Sequence, residues 1–299
     1  MFCRPGQCSL KRMKRHSITR SQEIALAFLV LLLVGVTFPV AAQPTPAAVA
    51  AFNTYTGSVE SRLSQQHRSP STFLAAATSV TRLRDGDPID GDPITEQLTP
   101  STGAEVSGSL LHHWRGTAFV PGAKAADFER LMRNLQAYPQ YFAPQVLQAA
   151  IVRQRGDWMQ ASMRVRQQHV LTVVLDTTYD ITYGQLDRQH GYSISRSTRI
   201  AEIYAPGTNA ERALSADEEH GFLWRLNTYW SYQEKDGGLY LQIEAISLTR
   251  SVPHGLGWAI RPYIESIPRD SLEFTLRSAC NALRKQGGLR SGFQKGQQG

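Results

Sequence analysis

From Leu171 to Tyr183 the odd positions Leu171, Val173, Leu175, Tyr179, Ile181 and Tyr183 are apolar or aromatic. The even ones include Thr172, Asp176, Thr178, Asp180 and Thr182. A period of two puts these sets on opposite sides of a strand, one buried and one wet. Leu239, Leu241, Ile243 and Ala245 repeat the pattern against Gln242 and Glu244. Strands are predicted over Leu110–Val120, Val146–Arg153, Trp158–Gln168, Val170–Tyr183, Tyr192–Tyr204, Phe222–Gln233 and Leu239–Arg250, with Asp236-Gly-Gly238 as a hairpin turn. Such an antiparallel, one-sided sheet needs an apolar cover. Leu272, Leu276, Ala279 and Leu283 supply one at helical spacing, in a helix expected from Asp270 to Arg284. Asp270 and Glu273 have the spacing of a capping box to start it, and Gly255–Ile267 reads as helical, with a break near Pro262 and Pro268.

The N-terminus reads as an address. Arg4, Lys11, Arg12, Lys14, Arg15 and Arg20 precede the apolar Ile24–Val36, and small residues at Val40-Ala41-Ala42 offer a cleavage point. That order is expected of a secretory signal over 1–42, with an uncleaved inner-membrane anchor as the alternative. The expected location is therefore secreted or periplasmic. The whole chain has 32 Lys and Arg against 25 Asp and Glu; taking away the leader's six and one leaves 26 and 24. The basic excess belongs mostly to the leader, and no basic stripe points to nucleic acid. Cys3 and Cys8 leave with the leader, so Cys280 stands alone and a disulfide framework is excluded.

After the leader, Phe52, Tyr55, Val59 and Leu63 recur every three or four positions, as in an amphipathic helix. A second short helix over Phe73–Val80 completes an expected N-terminal extension at 43–84. Asp85-Gly-Asp-Pro-Ile-Asp-Gly-Asp-Pro93 resembles a calcium loop, but Ile89 stands where an oxygen ligand is needed, and Asp-Gly and Asp-Pro pairs form turns. It opens a linker expected at 85–108, before a main domain at 109–287 and a disordered tail at 288–299. Within the main domain Ala123–Leu135 reads as a helix, and Arg155-Gly-Asp157 as a hairpin turn rather than an adhesion signal.

No Gly-x-Ser-x-Gly elbow, phosphate-cradling loop or Cys-x-x-Cys occurs, and no two histidines stand at ligand spacing. No metal or cofactor is expected. The candidates are polar or aromatic groups on strand faces. In Phe222–Tyr232 one face holds Phe222, Trp224, Leu226, Thr228 and Trp230, and the other Arg225, Asn227 and Tyr229; either could look inward. With Tyr179, Tyr183, Arg199, Glu244 and Trp258, these last three are the cavity candidates.

The order of strand, short helices, further antiparallel strands and closing helix carries a resemblance. Its telling stretches are His113-Trp-Arg-Gly-Thr-Ala-Phe-Val-Pro121, Tyr192–Glu202, His220–Trp230 and Glu244–Arg250 running into Gly255-Leu-Gly-Trp258. From Leu110 to Leu283 the chain resembles the START-like superfamily, which includes polyketide cyclases and coenzyme Q-binding proteins, and within it a secreted bacterial subgroup. The resemblance implies an α+β helix-grip fold, a curved antiparallel sheet of 6–7 strands around a long C-terminal helix. It implies a cavity between them for a lipid, quinone or polyketide-like molecule. The expected function is binding or carrying such a ligand. The alternatives are a cyclase or hydratase on the same scaffold, or an envelope interaction module docking through the Phe52–Leu63 helix.

Overall fold

The computed structural model describes residues 43–75, 93–98, 104–168, 172–251 and 257–296, with side chains of the last helix from 266 to 286. All belong to one compact unit, Ala41–Gly299. The leader at 1–42, the Asp-Gly turns at 85–92 and most of the helix expected at Phe73–Val80 lie outside the described residues. Among the described residues no helix is long and apolar enough to cross a membrane.

Helix α1 spans Pro46–Gln66. Thr45 caps it by accepting from the Ala48 amide at 3.1 Å, and Pro46 occupies the first turn, where no intrahelical N–H is needed. Strands β1 (Ile94–Gln97), β2 (Ala104–Val106) and β3 (Ser109–Pro121) follow. Helix α2 (Ala125–Arg133), a 3-10 turn and short helix α3 (Tyr138–Tyr141) lead to β4 (Val146–Arg155), β5 (Trp158–Gln168), β6 (Thr172–Asp187) and β7 (His190–Tyr204). The two-residue β8 (Arg212–Ala213), then β9 (Arg225–Lys235), β10 (Gly238–Arg250) and α4 (Gly257–Gly296) complete the chain.

The strands form one antiparallel sheet in the order β1-β3-β10-β9-β7-β6-β5-β4, with β2 on β3 and β8 on β7. It has ten strands, not six or seven. Short β1, β2 and β8 carry too few residues to show an alternating pattern, and β1 and β2 fall where a linker was expected. Asp236 and Gly237 both adopt positive φ in the β9–β10 turn, as that tight hairpin requires. Arg155-Gly-Asp157 is the β4–β5 hairpin turn, and Asp157 accepts from Arg133 at 2.7 Å.

The inner face of the sheet carries α2 and α4. Leu272, Leu276, Ala279 and Leu283 of α4 are buried with Phe128 and Leu131 of α2 against Ala118, Leu241, Trp230 and Tyr232. Gly116 is where α4 comes closest: a β-carbon there would stand 2.6 Å from Leu272 Cδ2. Cys280 is buried in this core, and burial pushes its thiol up to about 11, away from nucleophile chemistry. One expectation is corrected here. α4 runs unbroken from Gly257 through Pro262, Pro268 and Asp270, so Asp270 starts nothing, and it continues to Gly296 over the expected tail. Each proline forgoes one i→i−4 bond, which the buried stripe downstream offsets.

The sheet is not one-sided either. Ala48, Phe52, Val59 and Leu63 of α1 pack on Leu111, Trp224, Tyr229, Ile246 and Leu248 of its outer face. The stripe proposed for docking a partner is therefore spent on the chain's own sheet, which removes the ground for an interaction module.

Candidate functional site

The strand register lets the inner face be followed row by row. The row Gly116–Ile243–Trp230–Ser193–Tyr183 lies in the packed core, with Phe128 edge-on to Trp230 at 5.1 Å. The next row is Trp114–Ala245–Thr228–Ser195–Ile181. Trp114, Ala245, Thr228 and Ser195 are only half-buried, although they sit mid-sheet on the face that α4 covers. Beyond them come His112, Ser247, Leu226, Ser197 and Tyr179, with Leu226 and Ser197 half-buried again. Small side chains cause this. Ala245, Thr228 and Ser195 reach less far from the sheet than the Ile243 and Trp230 beside them, so the wall is recessed there. Met163, Ala149, Val146 and Phe274, partly buried, pack against the same core.

Tyr179 closes one end of the recess and is 7% exposed; burial pushes its phenol up to about 12, so it stays a neutral donor. Tyr183 serves the core instead. Its hydroxyl donates to the Met132 carbonyl at 2.9 Å, and the Arg133 guanidinium lies 4.3 Å from its ring centre. A separate open depression of ≈ 800 Å³ is bordered by Glu129, Arg130, Arg133, Asn134, Tyr141 and Gln286. Its arginines are engaged, Arg133 with Glu129 and Asp157 and Arg130 with Asp127.

Of the remaining sequence candidates, those with described side chains do not line the recess. Glu244, Asn227 and Tyr229 point to the outer face, under α1. Glu244 is 2% exposed and accepts from Arg62 at 2.5 Å, His113 Nε2 at 2.8 Å and Arg115 Nε at 3.0 Å. Burial alone would raise its carboxyl, but the hydrogen bond from His113 and the charges of Arg115 and Arg62 hold it down to about 2. The Tyr55 hydroxyl meets His113 Nδ1 at 2.9 Å. Asn227 donates to the Tyr229 hydroxyl, which donates to Glu60 at 3.1 Å, and Arg196 clamps Glu60 through two 2.7 Å bonds. Arg225 bonds its neighbour's carbonyl, from Trp224, at 2.8 Å, and Arg199 is exposed. The Trp258 side chain lies outside the described residues. For Glu244 the reason is α1: alternation in β10 marks the side of Glu244 as wet, and α1 covers that side and buries it.

Sequence reasoning missed Trp114, Ser195, Thr228 and Ala245. The signal was present in Ser193, Ser195 and Ser197, whose spacing of two puts all three on one face of β7. Among the described residues no group of three or more His, Cys, Asp and Glu could hold a metal ion.

An antiparallel sheet whose first long strand leads into short helices, and whose last leads into a helix lying across its inner face, is now in view. This is the helix-grip layout expected from the order of elements in the sequence. Solved structures similar to it include a STAR-related lipid transfer protein from Xanthomonas axonopodis, at 16% identity and TM-score 0.39, covering 64% of this chain and 98% of that one. A START superfamily protein from Mycobacterium smegmatis matches at 12% identity and TM-score 0.37, over 60% of this chain and 98% of that one. The Zhui aromatase/cyclase from Streptomyces sp. R1128 matches at 14% identity and TM-score 0.40, over 60% and 96%. At these identities the likeness concerns the architecture alone. No protein-family model matches the chain, and no curated protein matches it.

Proposed function

We propose that this protein binds, and as an exported carrier holds, a hydrophobic small molecule in the recess between the inner face of the START-like sheet and α4. The observation that carries the reading is the half-buried row Trp114–Ala245–Thr228–Ser195, crossing four strands in the middle of the face that α4 covers. Trp114, Ala245, Ile181 and Leu226 give the sheet wall apolar area, and Thr228, Ser195, Ser197, Ser247 and Tyr179 give it hydroxyls, a mixture that suits an apolar molecule with a polar end. Binding is favoured over catalysis because the acid–base pair His113–Glu244 lies on the opposite face, held by Arg62, Arg115 and Tyr55. The leader at 1–42 would take the protein to the periplasm or beyond.

Filling the recess tests this. Ala245→Trp is expected to weaken binding of a neutral fluorescent probe, N-phenyl-1-naphthylamine, at least tenfold, about 1.4 kcal/mol. Its circular dichroism and melting temperature should remain near the parent's. Full binding by the filled variant would place the probe elsewhere and sink the reading. Native mass spectrometry of the purified protein should also show a co-purifying apolar mass.

A further inference from the structure

β4 forms one edge of the sheet, and among the described strands only β5 pairs with it. Every residue from Ala150 to Arg155 is exposed, and the apolar Ile151 and Val152 are 39% and 50% exposed. Proteins guard such an edge with proline, lysine or bulges, because its outward N–H and C=O groups can take up another strand. β4 carries two bulges, with Leu147 and Val152 as the extra residues. Between them Gln148–Ile151 runs regular, and no proline, glycine or charge occurs from Val146 to Val152. The opposite edge is β1, whose four residues are too few to seat a ten-residue strand.

A second copy of the chain fits the β4 edge. Turned about a two-fold axis through Ala150, an antiparallel copy sets Ala150 opposite itself, Ala149 opposite Ile151 and Val146 opposite Gln154. Within the chain, Val146, Ala149, Ile151 and Gln154 register with Val165, Met163, Ala161 and Met159 of β5, which places all four on the inner face. Opposite residues of an antiparallel pair share a face, and these do so across both bulges. Arg153 falls opposite Leu147 and Arg155 opposite Gln145, so no arginine meets an arginine. Ile151 exchanges water for the copy's Ala149. We infer that the protein forms a two-fold dimer by pairing β4 with β4, so that the two sheets run on as one. An interface of one strand from each copy is small, and the dimer therefore dissociates on dilution.

The residue that faces itself supplies the test. For the protein from Ala41 onward, the start of the compact unit, sedimentation velocity over about a hundredfold range of concentration should show a monomer–dimer equilibrium. Ala150→Lys and Ala150→Glu each set like charges opposite one another, and each should weaken the dimer by about threefold or more. Because Ala150 is exposed, both variants should keep the wild-type melting temperature. Mixed in equal parts, the two variants should recover a dimer at least as tight as wild type, since opposite charges then meet. A wild-type protein that stays monomeric throughout, or that assembles without limit, overturns the inference. Variants that dimerise as well as wild type put the contact elsewhere and overturn it too. A mixture no tighter than either variant alone overturns the pairing centred on Ala150.

Discussion

Glu244→Ala is expected to destabilise the protein by about 3–5 kcal/mol, the cost of breaking a buried ion pair by removing one member. The wild-type carboxylate accepts from three cationic or imidazole side chains in a site 2% exposed. Taking it away leaves Arg115, itself only 13% exposed, with Glu96 as its remaining carboxylate, and His113 and Arg62 without theirs. For a domain of this size each kcal/mol moves the melting temperature by roughly 2–4 °C, so a drop of about 10 °C should appear in thermal melts. A melt within 2 °C of wild type would mean that Arg62 and Arg115 resolvate freely and that the cluster holds nothing. Replacing Glu244, Arg115, Arg62 and His113 together by apolar residues of similar volume should cost far less than Glu244→Ala, because no charge is then left unpaired.

Acid is the second large lever, and it acts first through His67. This imidazole closes α1, is 8% exposed, bonds Ser231 Oγ at 2.8 Å and stacks on Tyr192 at 4.4 Å. Burial, with help from the Arg62 charge and against that of Glu244, lowers its pKa from 6.5 to about 4. A tenfold change in proton affinity is worth about 1.4 kcal/mol, so this shift corresponds to roughly 3 kcal/mol. The sign follows from proton counting. Between about pH 6.5 and pH 4 the unfolded chain holds a proton on His67 and the folded one does not, so stability falls as pH falls through that window. Glu244, whose folded carboxyl is depressed, extends the loss below pH 4.5 towards about 2. Urea melts at pH 7 and pH 4.5 should differ by 2 kcal/mol or more, and His67→Asn should flatten the difference. An unchanged slope in that variant would assign acid sensitivity to other groups.

Residue by residue, the long strands were legible because alternation survives burial of one face. Tyr179 and Ile181 against Thr178 and Asp180 is that case. The same logic failed for β10, where Glu244 is buried on the supposedly wet side beneath α1, and Gln242 is buried where it accepts from the Ala75 amide. Polar residues facing another element of the same chain look solvated in a sequence, since hydropathy does not report partners. α1 itself was legible from Phe52, Val59 and Leu63; its landing place was not, because Leu111, Ile246 and Leu248 are distant in sequence. The recess was illegible for a different reason. Small residues such as Ala245 and Ser195 mark a hollow only once the taller Ile243 and Trp230 are known to stand beside them.

The placement of α1 has a practical consequence for anyone trimming the protein. A fragment beginning at Ser109 loses only the short β1 and β2 from the sheet, keeps all of α4, and looks like a complete minimal unit. It would nevertheless bare Leu111, Trp224, Ile246 and Leu248 to water, and strip Glu244 of Arg62. Exposed greasy surface of that kind invites self-association. The shortest soluble form should therefore start at Gln43 or earlier, with α1 acting as the molecule's own back cover.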